Sequence, residues 1–206
     1  MTRLFMPLRF IIFMCIVVFP LCANAGSSEA IDVVKRFNST LLESMKRANE
    51  LGFSGRYNLL APVIKESFAF SFMAKKSVGR YWKTLEESQQ KQLLDTYTHW
   101  SIATYARNFN AYQGEIFEVL PETELHRDTV TVVSRLIATD RENVDFHYRL
   151  RKPDSKWVIV DIQISGVSQL ALTRSQFIRV IKHEGFDALI HKLQDKIRVL
   201  SRPVKE

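Results

Sequence analysis

The chain predicts an α+β fold: an antiparallel sheet of about four strands packed against N-terminal and C-terminal helices. Three observations carry the prediction. Helical spacing of apolar residues runs through the N-terminal half to Phe109 and resumes at Ser168, period-two alternation is confined to residues 114–164, and no internal repeat or low-complexity tract interrupts either pattern. The amphipathic helix also exceeds what a thin closed core over such a sheet needs, which leaves room for a cavity.

Residues 1–25 stand apart as an expected secretory signal. Arg3 and Arg9 form a basic start, Phe10 to Phe19 is an apolar run, and Ala23-Asn24-Ala25 is a small-x-small cleavage site before Gly26. The run is shorter than the roughly 20 residues a membrane span takes, and bulky Leu21 before Cys22 departs from a lipoprotein signal. Both cysteines, Cys15 and Cys22, lie in this segment, so residues 26–206 carry no thiol for a disulfide or for catalysis. About 180 residues suffice for one core, and a single domain over 26–206 is expected. Losing Arg3 and Arg9 lowers the net charge from +7 to +5. Basic residues interleaved with acids suit an anionic lipid surface or an acidic partner, and export argues against nucleic acid as a partner.

The elements follow in order. Val34, Phe37, Leu41, Met45 and Ala48 recur at three or four residues after Ser27 and Ser28, giving a helix that Gly52 should end. Gly52, Gly55 and Pro62 punctuate an aromatic-rich segment read as short helices, including Phe68 to Met73. Thr84 to Glu87 reads as a capping box for a long helix reaching Phe109, with Leu93, Tyr97, Trp100 and Thr104 on one flank and Leu94, Ile102 and Tyr105 widening it. Gly114 to Leu120 is a short strand and Pro121 to Arg127 a polar turn. Thr129 to Ile137 alternates Val130, Val132 and Leu136 against Thr131 and Arg135. Val144, Phe146, Tyr148 and Leu150 alternate with Asp145, His147, Arg149 and Arg151, and after a turn at Pro153 to Ser155 the run Trp157 to Ile164 completes a hairpin, with Val158, Val160, Ile162 and Ile164 on one face. Ser168 caps a helix carrying Leu170, Phe177, Ile178 and Ile181. Beyond Gly185 a last helix aligns Phe186, Leu189, Leu193 and Ile197.

A search for catalytic chemistry returns little. The five histidines never pair at i, i+4 and show no metal-ligand spacing, so no metal or other cofactor is implied. Ser88 to Lys91 matches SxxK without companion motifs. Asp145, His147 and Arg149 share a strand face and read as solvated charge. Asp161 is the strongest acid, interrupting the apolar run WVIVDIQI. It can be a general base with a raised pKa, or it can pair with Arg149, Arg151 or Arg174 to fix the hairpin against the next helix, and the structural role is favoured. The abundance of Phe, Tyr, Trp and Met suits an ordinary core or a lipid-sized cavity.

The segments SVGRYWKTLEESQQKQL, IATYARNFNAYQGEIFEV, HYRLRKPDSKWVIVDIQISGVSQLALTRSQF and GFDALIHKLQDK together resemble the toluene-tolerance or MlaC-type periplasmic phospholipid-binding family across most of residues 26–206. LLESMKRANELGFSGRYNLLAPVI resembles its hopanoid-associated HpnM branch. Gln169 and Gln176 stand where that branch commonly has carboxylates, and Ala69 stands where the family commonly has Asp. Glutamine cannot act as a general base, so neither position supplies such chemistry. The resemblance implies an NTF2-like fold with a curved sheet, acyl chains held between sheet and helices, and no enzymatic activity. It further implies a periplasmic carrier of phospholipid, or alternatively of hopanoid. That carrier would exchange lipid with an MCE-domain ABC transporter complex of the inner membrane and with an outer-membrane lipoprotein complex. A small NTF2-like enzyme using Asp161 is the alternative from another class. For the cavity wall the pattern nominates strand positions Val130, Val132, Phe146, Tyr148, Val160 and Ile162, faced by Phe72, Met73, Tyr105, Phe109, Leu170 and Phe177. Arg149, Arg151, Lys182, Lys192 and Arg198 are the basic residues expected to meet a partner or an anionic headgroup.

Overall fold

The computed structural model describes residues 25–126, 128–139 and 142–202. The expected signal, 1–25, lies outside them except for Ala25. Among the described residues no helix is long and apolar enough to cross a membrane.

Helix α1, Ala25–Lys46, buries Ala30, Val34, Phe37, Leu41 and Met45 along one stripe, as its spacing requires. It ends at Lys46 rather than at Gly52. The break that Gly52 supplies falls inside α2, Ala48–Ser67, where its φ of 56° and ψ of −171° leave the helical region. Arg56 ties this junction down: its Nε donates to the carbonyl of Ala106 and its Nη1 to that of Ala48, each at 2.9 Å. Burial, then repulsion from Arg107, lowers the pKa of that guanidinium.

After α2 the chain is extended at Phe68, which bridges in parallel to Ile159, while the Ala69 amide donates to the Ile159 carbonyl at 2.9 Å. Helix α3, Phe70–Val78, and a 3-10 turn, Gly79–Thr84, lead to α4, Glu87–Asn108. The capping box of α4 is not the expected Thr84/Glu87 pair. Thr84 is still in the 3-10 turn, its hydroxyl donating to Tyr81, and the box is made by Glu86 and Gln89, whose Oε1 accepts from the Glu86 amide at 3.1 Å.

The sheet is antiparallel throughout, with five strands in chain order: β1 Ile116–His126, β2 Thr129–Ile137, β3 Val144–Arg151, β4 Val158–Ile164 and β5 Val167–Ser168. Two corrections to the sequence reading follow. β1 continues through the expected polar turn to His126. Three β1 residues, 120–122, stand opposite Val133 alone, and this irregularity accommodates Pro121, which has no amide to give the ladder. β4 is also interrupted: Ile162 faces Tyr148 and Asp161 faces Arg149, yet Ile159 faces Leu150, leaving Val160 as the additional residue of a bulge. Val158 and Val160 therefore do not share a face with Ile162 and Ile164. A tight turn with φ of 51° at Ser165 and 77° at Gly166 joins β4 to the two-residue β5. Ser168 then caps α5, Gln169–Glu184, accepting from the Ala171 amide at 3.0 Å, and α6, Phe186–Leu200, follows Gly185.

One core joins the sheet to the helices. Val130, Val132, Leu150 and Ile159 are fully buried in it with Phe37, Leu60, Leu93 and Ile102. Tyr148 and Ser134 meet α1 through a buried polar link in which the Asn38 amide donates to Ser134 Oγ at 2.7 Å and the Tyr148 hydroxyl donates to Asn38 Oδ1 at 3.1 Å. The two bonds connect the middle strands to α1 and leave no polar atom of that group unpartnered.

Candidate functional site

A cavity of about 440 Å³ opens between the sheet and helices α3, α4 and α5. Its sheet wall is Val144 and Phe146 from β3 with Ile162 and Ile164 from β4, neighbours because Phe146 pairs with Ile164. Its longest wall is α4. Tyr97, Trp100 and Ser101, Thr104 and Tyr105, then Asn108 recur every three or four residues, so one stripe of that helix faces the space. Phe68, Phe70 and Met73 close one side, and Gln169, Leu170 and Thr173 at the start of α5 close another.

Aromatic rings frame the space. Phe68 and Phe70 stack with centroids 5.8 Å apart, Tyr105 and Phe109 at 6.0 Å, and Phe109 continues through Phe117 to Phe146 in steps of 6.3 Å. Such pairs favour particular relative orientations of the rings that border the space.

Some polar groups of the wall are committed elsewhere. The Thr104 hydroxyl donates to the Trp100 carbonyl at 2.8 Å. Asp161, 5% exposed, accepts from Ser168 Oγ at 2.6 Å on one oxygen and from the Leu170 amide at 3.0 Å on the other. Its partners are thus the first residues of α5 and not an arginine. Burial, reinforced by the negative charge of Asp161, pushes the Tyr97 phenol well above its ordinary pKa. Among the described residues no three His, Cys, Asp or Glu side chains gather to hold a metal ion.

The residues nominated from the sequence fall in three places. Met73, Tyr105, Phe109, Phe146, Ile162 and Leu170 line the cavity. Val130, Val132 and Tyr148 lie in the packed core with α1, and Phe177 sits behind the wall, its ring 5.9 Å from those of Tyr97 and Trp100. Phe72 and Val160 face a separate, adjoining cleft, Val160 because of the bulge. Tyr97, Trp100, Ser101, Thr104 and Asn108 were missed although the helical period contains them. Val144 and Ile164 were equally accessible, sharing their strand faces with Phe146 and Ile162. Phe68 and Phe70 were not, since their position depends on the extended link to β4.

Fold and site define an α+β protein with an apolar, aromatic cavity set between an open antiparallel sheet and its helices. The MlaC protein family model matches residues 35–195, and the chain belongs to that family. It is 24% identical over 141 residues to the intermembrane phospholipid transport system binding protein MlaC of Haemophilus influenzae, an alignment covering 66% of this chain and 64% of that relative. The fold is also that of a phospholipid-binding protein from Ralstonia solanacearum solved in complex with a phospholipid. That structure matches with a TM-score of 0.71 at 23% identity, over 85% of this chain and 98% of the other.

Proposed function

We propose that this protein is a periplasmic phospholipid carrier that holds its lipid by the acyl chains in the cavity between sheet and helices. The observation that carries the reading is the cavity itself: its wall is predominantly aliphatic and aromatic, and its one carboxylate is already bonded to the start of α5. That arrangement suits burial of hydrocarbon and leaves no free carboxylate in the wall for turnover, so the enzymatic alternative has no support from Asp161. The name of the Haemophilus relative and the lipid in the Ralstonia structure point to the same ligand class.

The mechanism follows from magnitudes. Moving about 30 methylenes from water into a protein at about 0.8 kcal/mol each contributes on the order of 25 kcal/mol, so release into water is far too slow for transport. Against a bilayer or another apolar cavity the same term nearly cancels. Transfer therefore proceeds by docking, with an MCE-domain ABC transporter complex at the inner membrane and a lipoprotein complex at the outer membrane as the partners. Of the basic residues expected to serve docking, Lys192 is paired with Glu184 and Arg198 with Asp195, whereas Arg149 lies on an open cationic surface beside the cavity.

Native mass spectrometry of the protein purified from its own envelope, followed by solvent extraction, tests the proposal. A stoichiometric diacyl phospholipid is the expected result. A hopanoid in its place would assign the chain to the HpnM branch, and a protein that stays empty after incubation with both lipid classes would refute the carrier.

A further inference from the structure

Beside the first turn of α5 lies another cleft, of about 360 Å³, which shares Asp161 and Leu170 with the cavity described above. Three separate elements deliver cations to it: Lys76 from α3, Arg149 and Arg151 from β3, and Arg174 from α5. Arg149 and Arg151 alternate along β3 and so project from one face. Phe72 lies between two of the charges, its ring centroid 5.4 Å from Lys76 Nζ and 5.9 Å from the Arg151 guanidinium. Arg174 is laid against Gly79, where a Cβ would stand 3.0 Å from its Nη2. The absent side chain at residue 79 is therefore part of what seats that guanidinium.

The charge of this cleft is poorly neutralised from within. Arg151 is paired with Asp128. Among the described residues, Lys76, Arg149 and Arg174 form no ion pair. Asp161, the acid in the lining, is nearly buried and already accepts two hydrogen bonds. Ser168, Leu170 and Ala171 bring the positive end of the α5 dipole to the same place. Cations gathered from three elements repel one another until an anion joins them, and guanidinium forks match phosphate oxygens.

We propose that this cleft binds a phosphate group, and that its source is the headgroup of the lipid whose chains occupy the adjoining cavity. This rests on the carrier reading above. The carrier then favours lipids of net negative headgroup charge, phosphatidic acid and phosphatidylglycerol, because the same cations repel the ammonium of phosphatidylcholine.

The test uses delipidated whole protein loaded with a fluorescent-chain phosphatidylcholine, displaced by dioleoyl phosphatidic acid, phosphatidylglycerol or phosphatidylcholine. The wild type should bind the anionic lipids about tenfold more tightly than phosphatidylcholine, and 0.5 M salt should shrink the ratio. In Arg149→Gln/Arg174→Gln the ratio should fall toward one. Lys76→Gln/Arg149→Gln should do the same while leaving the Arg174–Gly79 contact intact, which guards against a folding defect in the first variant. Equal affinity for all three lipids in the wild type overturns the proposal and leaves the carrier standing. If no lipid binds whatever its headgroup, the carrier reading fails, and calorimetric titration with inorganic phosphate decides the cleft. Phosphate uptake by the wild type that both variants lose upholds the site with free phosphate as its ligand, and no uptake overturns it.

Discussion

Tyr148 shows how one side chain can be placed correctly on a strand face and still have a different task from the one its pattern suggests. It is inward-facing, as alternation on β3 requires, but it is 1% exposed and donates to Asn38 of α1 instead of reaching the cavity. A period of two reports the face and cannot report which helix covers it. The burial has a thermodynamic consequence. Desolvation, then repulsion from the neighbouring Tyr105, raises the Tyr148 pKa well above 10. A phenol whose folded pKa exceeds its unfolded value keeps its proton in the folded state while the unfolded chain loses it. The stability it confers is complete below about pH 10 and falls as pH rises beyond that, by about 1.4 kcal/mol per pH unit for each such phenol. Tyr97, buried beside Asp161, behaves alike. Tyr148→Phe should lose about 1 kcal/mol at pH 7, because Asn38 Oδ1 is left without its donor. Above pH 10 its stability should fall less steeply than that of the wild type by one proton's worth. Urea unfolding at pH 7, 9, 10 and 11 measures both slopes, and parallel curves would refute the assignment.

At the scale of elements, what local pattern could decide was legible and what needed a distant partner was not. The α1 stripe, the Ser168 cap and the β2/β3 alternation each depend on residues within a turn or a strand of one another, and all three stand in the structure. The residues after Leu120 have turn chemistry, yet pairing with β2 carries them into the sheet. In β4, Trp157 to Val160 is apolar on both parities, so nothing local marks Val160 as the bulged residue. Only the register against β3 does. Gly52 lies between these cases. Its role as a breaker was readable, while its place inside α2 was not, because Ala48 to Leu51 already turn helically before it. The distinction is testable. In a regular helix, Gly→Ala stabilises by about 1 kcal/mol. At φ 56° and ψ −171°, with nothing within 4 Å of a Cβ, the substitution meets open space but a backbone region reserved for glycine. Gly52→Ala should therefore destabilise by about 1–3 kcal/mol. Denaturant unfolding gives the sign, and a stabilised variant would show that the break is not required.

For the whole molecule, the cavity and the packed core compete for the same apolar side chains, and this explains why the candidate site was half legible. Phe146 and Tyr148 are alike in the sequence pattern and stack at 6.1 Å, yet one lines the cavity and the other is sealed under α1. The boundary between them is set by which helix lies over each residue, α1 over Tyr148 and the cavity-lining α4 stripe across from Phe146, which no single element encodes. An open cavity also couples ligand to stability. A lipid bound by the folded state alone stabilises by RT ln(1 + [L]/Kd), about 2.7 kcal/mol at a hundredfold excess over Kd. For a protein of this size that corresponds to a rise in Tm of roughly 5–10 °C. Thr104 is the place to separate cavity from core. It lies in the α4 stripe facing the space, and its hydroxyl bonds only within its own helix. Thr104→Trp should fill the cavity from that wall, leave the Tm of the delipidated protein within about 3 °C of wild type and abolish the rise on adding dioleoyl phosphatidylglycerol. Calorimetry of both proteins with and without lipid makes the comparison. If lipid lifts the two by the same amount, the acyl chains are not held in this cavity. If the variant melts far lower when empty, α4 at Thr104 belongs to the packed core, and the cavity is smaller than its lining implies.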